Sequence, residues 1–197
     1  MNKQAEKRKM IVKIAKDVIK QLDEGKYVPT LERYVMTEYE ELPGNTELQT
    51  VFKGKFQCDV CAMGALFVSA TRLYNSAKVR NYARKDEDGH RFLQFETDGP
   101  NTAKLLRKYF SNKQIALIET AYMSDEDEPI ISSGGRSYPV PSEGSYEQNY
   151  ELAEIEFKEA ANFGAKYDYD DERLRAIMEN IIKNDGVFIP WPERIWT

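Results

Sequence analysis

Two cysteines separated by two residues, Cys58 and Cys61 in the segment FQCDVCAMGALFVSA, are the residues whose type and spacing best suit chemistry. Such a pair can hold zinc when two further ligands join it. It can also act as a redox pair when the first thiol lies at a helix N-terminus, where the helix dipole lowers its pKa. A third interpretation is that both thiols fill the hydrophobic core.

The other possible ligands and the surrounding sequence decide between these interpretations. The chain has one histidine, His90, so a zinc site within one chain would combine Cys58, Cys61, His90 and a carboxylate. Two chains pooling their cysteines is the other route to four ligands. A redox role lacks the surrounding βαβ pattern and a proline between the cysteines. Core filling is therefore favoured and no cofactor is predicted, while a metal or thiol site stays as an alternative.

Signatures of other catalytic sites are missing from the sequence. It contains no Gly-x-Ser-x-Gly elbow and no second histidine, and the segment SSGGRS lacks the lysine and the following helix of a phosphate-binding loop. These observations favour a non-enzymatic protein.

Acidic residues beside tyrosines suggest a binding surface instead. They cluster at 38–41, 125–128 and 167–172, and such clusters can imitate nucleic-acid phosphates and occupy a basic groove on another protein. Ordinary solubility charge is the alternative. The candidate partner-binding residues are Asp125, Glu126, Asp127, Glu128, Arg136, Tyr138, Tyr167, Asp168, Tyr169 and Asp170.

The net charge of -5 hides a basic start, since residues 1–20 carry seven lysines and arginines against Glu6 and Asp17. Direct DNA binding through this segment is disfavoured because the acidic remainder would repel a duplex. Nucleic acid is therefore not predicted as a partner except by mimicry, and homodimerisation is left open.

Length and apolar periodicity predict a single, mainly α-helical domain over residues 1–197, with a bundle-like core. The predicted helices are 8–25, 61–74, 112–123, about 146–165 and about 171–184, with another from Asn101 or Thr102 to Phe110. Residues 79–96 suggest a small β-hairpin around Asp88-Gly89, with helix as the rival interpretation. Residues 30–55 lack a clean period, which favours irregular chain or a short helix.

Local signals place the helix ends. Gly25 and Gly186 are expected to end helices, Asp170 to cap one, and Ser111 with Gln114 to form a capping box. Residues 124–145 form a long polar loop, which is usually functional or disordered, and the tail VFIPWPERIWT is expected to lie extended across the helices.

The expected compartment is the cytoplasm. The basic start lacks a cleavage site, no apolar run is long enough to cross a bilayer, and two cysteines in a chain with its own core fit a reducing environment.

Several segments together resemble a known group of proteins. IAKDVIKQLDEGKYVPT, CDVCAMGALFVSA, YFSNKQIALIETAY and ERLRAIMENIIKNDGVF, in this order, are similar to small uncharacterised proteins of bacteriophages and prophages. The resemblance covers most of the chain and carries over no site residues. It implies a protein that binds and inhibits or modulates a host protein, such as an antiviral defence factor. Sequestration of a small ligand such as a nucleotide is the remaining alternative.

Overall fold

Apolar residues at helical spacing build the larger part of the chain. A computed structural model describes residues 2–31, 34–38, 45–54, 57–75, 78, 83–85, 91–95, 104–124 and 146–191. Within these residues the helices are α1 (Lys3–Asp23), α2 (Leu48–Lys53), α3 (Ala62–Tyr74), α4 (Asn112–Met123), α5 (Tyr146–Gly164) and α6 (Asp170–Lys183). The predicted mainly α-helical fold is confirmed. None of the helices in the described ranges is both long and apolar enough to cross a membrane.

Helix α1 begins five residues before its predicted start because Asn2 caps it. The Asn2 side chain accepts a hydrogen bond from the Gln4 N–H at 3.0 Å. The helix ends as predicted at Gly25, which has a φ of 65°. The Lys26 N–H then donates to the Gln21 carbonyl at 2.9 Å, which closes the last turn.

The strands of the described residues form one five-stranded sheet. They are β1 (Tyr27–Pro29), β2 (Val35–Glu38), β3 (Cys58–Val60), β4 (Ala83–Lys85) and β5 (Arg91–Phe95), in the order β1-β3-β2-β5-β4. Strand β1 runs parallel to β3, whereas the other pairs are antiparallel. The antiparallel pairing of β4 with β5 agrees with the hairpin suggested for 79–96, whereas its expected turn at Asp88-Gly89 lies outside the described residues. The rest of the sheet was not predicted, and both β2 and α2 lie in the stretch 30–55.

Helix α3, predicted as 61–74, is the central buried helix of the described residues. Every residue from Ala62 to Thr71 is buried. It packs against α1, α2 and the sheet, and Gly64 lets its backbone meet the chain at the start of β2. Polar contacts join α3 to its neighbours. Among them, Arg72 Nε lies 3.1 Å from Asp17 Oδ2, and the Tyr27 and Ser69 hydroxyls are 2.9 Å apart. These polar side chains within the core are therefore partnered across elements.

Two side-chain amides hold the segment after α6. Ser111 caps α4 as predicted by accepting from the Gln114 N–H at 3.2 Å. The Gln114 side chain does not return to the cap, so the capping box is half formed. Its amide instead accepts from the Phe188 N–H at 2.6 Å and donates to the Phe188 carbonyl at 3.1 Å. The Asn180 side-chain amide likewise accepts from the Ile189 N–H at 2.8 Å and donates to the Ile189 carbonyl at 2.7 Å.

Other terminal predictions have mixed outcomes. Helix α6 ends at Gly186 as expected, with the Gly186 N–H 2.8 Å from the Ile181 carbonyl. Its predicted cap is wrong, because Tyr169 occupies the cap position and Asp170 is the first helical residue. The helix predicted up to Phe110 is a single turn at 104–106 within the described residues. Residues 125–145 of the polar loop lie outside them.

Candidate functional site

A groove of about 600 Å³ lies between the edge strand β1 and the start of α6. One wall comes from the end of α1 and from β1, and the other from residues 168–171 and Arg175 of the facing segment. We call this feature the acidic groove. It exists because Gly25 turns the chain sharply after α1 and Pro29 keeps the next residues extended.

The main chain of β1 shapes one wall. The Cys58 N–H donates to the Lys26 carbonyl at 2.9 Å, and the Thr30 N–H donates to the Val60 carbonyl at 3.0 Å. Because bonding direction alternates along a strand, Tyr27 and Pro29 turn their main chain away from β3. Proline has no N–H, so this outer edge is richer in acceptors than in donors.

The opposite wall carries three carboxylates and an exposed ring. Asp168, Asp170 and Asp171 line it, and the side chain of Tyr169 is 66% exposed. Partial burial raises the pKa of Asp170, and the nearby Arg173 guanidinium opposes that rise. The cation of the groove, Arg175, is engaged by Asp23 at 2.6 Å. Asp170 Oδ1 lies 3.8 Å from Arg173 Nη1, and its carboxylate also has a hydrogen bond to the Leu31 backbone, so the outward negative charge comes mainly from the exposed Asp168 and Asp171.

Three of the predicted partner-binding residues meet in this groove, namely Asp168, Tyr169 and Asp170. Tyr167 lies behind it, with its ring 5.8 Å from that of Phe163 and its carbonyl accepting from Arg173. The other six, Asp125, Glu126, Asp127, Glu128, Arg136 and Tyr138, lie outside the described residues. The contribution of β1 was missed, although Pro29 in the segment KYVPT disfavours helix in the residue before it.

Arg173 supports the acidic wall from inside. Its side chain is buried, with Nε 3.2 Å from the Gly164 carbonyl, Nη1 3.0 Å from that of Tyr122 and Nη2 2.8 Å from that of Tyr167. Two of these carbonyls stand in the last turns of α4 and α5, where a cation also suits the helix dipoles. The guanidinium thus fixes the segment that leads into the groove.

The two thiols lie in the core or against it. Cys58 is 1% exposed and belongs to the hydrophobic core, and Cys61 packs against it at the N-cap of α3. Burial raises the pKa of Cys58 strongly, and it raises that of Cys61 to about 11 despite hydrogen bonds from the backbone of Gly64 and Met63. Desolvation therefore outweighs the helix N-terminus, which argues against a redox thiolate.

A metal site with these cysteines gains no further ligand group from the described residues. In the described part of the chain no three His, Cys, Asp or Glu side chains lie grouped as a metal cluster. His90 is not among the described residues.

The burial of Cys61 leads to a measurable expectation. A rise in its pKa from 9.0 to about 11 should lower its thiolate fraction near pH 8. We expect alkylation of Cys61 by iodoacetamide to be about 100-fold slower in the native than in the urea-unfolded protein, since the thiolate is the nucleophile. The Cys58→Ala variant isolates the rate of Cys61, and equal rates in both states would contradict a partly buried, protonated thiol.

Comparison of the chain with protein-family models, with curated proteins and with solved structures gives no match. The functional argument therefore starts from the geometry of the acidic groove.

Proposed function

We propose that this protein is a non-enzymatic interaction protein that binds a basic region of another protein through the acidic groove. The observation that carries the proposal is the meeting of acids and exposed apolar side chains at one place. Val28 and Tyr169 line the groove and are 38% and 66% exposed. Leu31, whose backbone hydrogen-bonds to Asp170 of the facing wall, is 37% exposed. Exposed large hydrophobics clustered within a charged rim are typical of protein interfaces.

Tyrosine is the natural anchor of such an interface. A tyrosine ring buries a large area at low conformational cost and is enriched among the residues that dominate binding energy. Asp168 and Asp171 beside it supply charge that steers a basic partner and orients its donors. Because Arg175 is paired with Asp23, it neutralises little of the negative charge of Asp168 and Asp171.

The host setting of this proposal comes from the resemblance to bacteriophage and prophage proteins. In that setting the partner is a host protein in the host cytoplasm, and covering its basic surface would inhibit or modulate it. The same carboxylates repel nucleotide phosphates, which makes sequestration of a nucleotide in this groove the weaker alternative.

Capture from host lysate tests the proposal, with bound proteins identified by mass spectrometry. Replacing Asp168 and Asp171 with asparagine and Tyr169 with alanine should weaken the affinity for the captured partner at least about 30-fold, because losing an anchor costs about 2 kcal/mol. Binding should also weaken as salt rises.

The matched control changes the same number of charges and one apolar side chain elsewhere. Glu6→Gln, Glu179→Gln and Ile155→Ala together alter exposed residues that do not line the acidic groove. This variant should keep its partner. Failure to capture any partner, or equal capture by the two variants, would reject the proposed function.

A further inference from the structure

Four lysines form a single row on the outer face of α1. Lys9, Lys13, Lys16 and Lys20 are all exposed, at successive spacings of four, three and four residues. The row lies opposite the buried Ile14 and Val18 and is about 16 Å long at 1.5 Å per residue. We call it the lysine ridge.

The four lysines of the ridge do not stabilise α1. Like charges four residues apart, as in Lys9 with Lys13 and Lys16 with Lys20, destabilise a helix. Asp17, the one acid between them, is turned to Arg72 at 3.1 Å. Among the described residues the only ion pair of the ridge is that of Lys20 with Glu24, at 3.7 Å. In that part of the chain the other three lysines, Lys9, Lys13 and Lys16, therefore face outward without an ion-pair partner.

The side chains around the lysine ridge indicate which class of partner it suits. The exposed large hydrophobics of the described residues are Val28, Leu31, Leu73, Ile155 and Tyr169, and none of them lies on α1. Protein interfaces are depleted in lysine and need apolar or aromatic anchors. Helices that bind membrane surfaces need an apolar face to insert. A phosphate backbone needs only correctly spaced cations, which lysines supply as point charges.

We infer that the lysine ridge binds the phosphate backbone of a nucleic-acid duplex without reading its sequence. This goes beyond the acidic groove and does not depend on it. The acidic remainder of the chain, which disfavoured DNA binding at the level of the sequence, acts weakly here. Exposed charges farther away than about 8 Å are largely screened at physiological salt, and the ridge points away from the core.

Fluorescence anisotropy with a labelled 20-base-pair DNA duplex tests the inference on the full chain. Four phosphate contacts predict that the logarithm of the association constant falls with the logarithm of salt concentration with a slope of about -3.6. Changing all four ridge lysines to glutamine should lower affinity at 50 mM salt at least tenfold and reduce the slope to near zero. Glutamine matches lysine in helix propensity, so the circular dichroism of α1 should be retained.

The control variant changes four exposed lysines elsewhere to glutamine, at Lys104, Lys108, Lys158 and Lys166. It has the same net charge as the ridge variant and should keep both affinity and slope. Equal losses in the two variants would show a general charge effect and overturn the inference. Absence of duplex binding at 50 mM salt, or tighter binding to phosphatidylserine vesicles or polyglutamate than to the duplex, would overturn it as well.

Discussion

Replacing Gly64 with alanine is expected to destabilise the fold by about 3 kcal/mol or more, because the site has no room for a methyl group. A Cβ at this position would lie 1.5 Å from the Tyr34 carbonyl oxygen and 2.9 Å from Val35 Cγ2. Helix α3 would have to move off β2, which also strains the hydrogen bond from the Cys61 N–H to the same carbonyl at 3.3 Å. Helix propensity alone would predict a gain in stability, because alanine is a better helix former than glycine by about 1 kcal/mol.

Urea unfolding measures this loss, and the midpoint of thermal unfolding should fall by about 6 °C or more. Gly25→Ala is the control, since Gly25 has a φ of 65° but a methyl group there would meet no atom within 4 Å. That change should cost only the left-handed conformation, about 1–2 kcal/mol. If Gly64→Ala were as stable as the parent protein, the close contact between α3 and β2 would be wrong.

Arg173→Met is expected to cost about 3–5 kcal/mol of unfolding free energy, because it removes a buried cation that satisfies several buried acceptors. Methionine keeps the helix propensity and much of the volume, so the loss comes from the guanidinium. The carbonyls of Tyr122, Gly164 and Tyr167 would each lose a donor. Denaturant titration followed by circular dichroism gives the value directly.

Two further variants separate geometry from charge at this position. Arg173→Lys keeps the charge but lacks the planar fork of donors, so most of the stability should stay lost. Arg175→Met breaks the exposed pair with Asp23 and should cost no more than about 1 kcal/mol. Equal effects of Arg173→Met and Arg175→Met would contradict the buried role of Arg173.

The longer helices were predictable because each one carries its own periodic signal, unlike the short α2 (Leu48–Lys53). In α6 the buried Leu174, Ile177, Met178 and Ile181 repeat at helical spacing, and burial by the rest of the chain follows that stripe. The predicted range 112–123 coincides with α4 for the same reason. The cap at Ser111 was predictable because its signal is local. The second half of the capping box was predicted wrongly because the Gln114 side chain bonds to the distant Phe188 instead.

The sheet was largely hidden because its strands are short and pair over long distances. Tyr27 pairs with Cys58 and Val35 with Phe95, and strands of three to five residues are too short to display alternation. Half of the acidic groove was hidden in consequence. Asp168, Tyr169 and Asp170 were identifiable from composition, whereas the identity of the edge strand depends on the order of all five strands.

The amides of Gln114 and Asn180 each engage one residue of the segment after α6 at both its N–H and its carbonyl. Such recognition depends on the backbone and not on the attached side chain, and a side-chain amide suits it because it carries a donor and an acceptor on adjacent atoms. In homologues that keep this fold, positions 114 and 180 should therefore hold only glutamine or asparagine. Position 189, which is half-buried, should accept many residue types. Spontaneous deamidation at either position would convert the donor into a second acceptor, which makes hydrolytic ageing a route by which this end of the chain detaches.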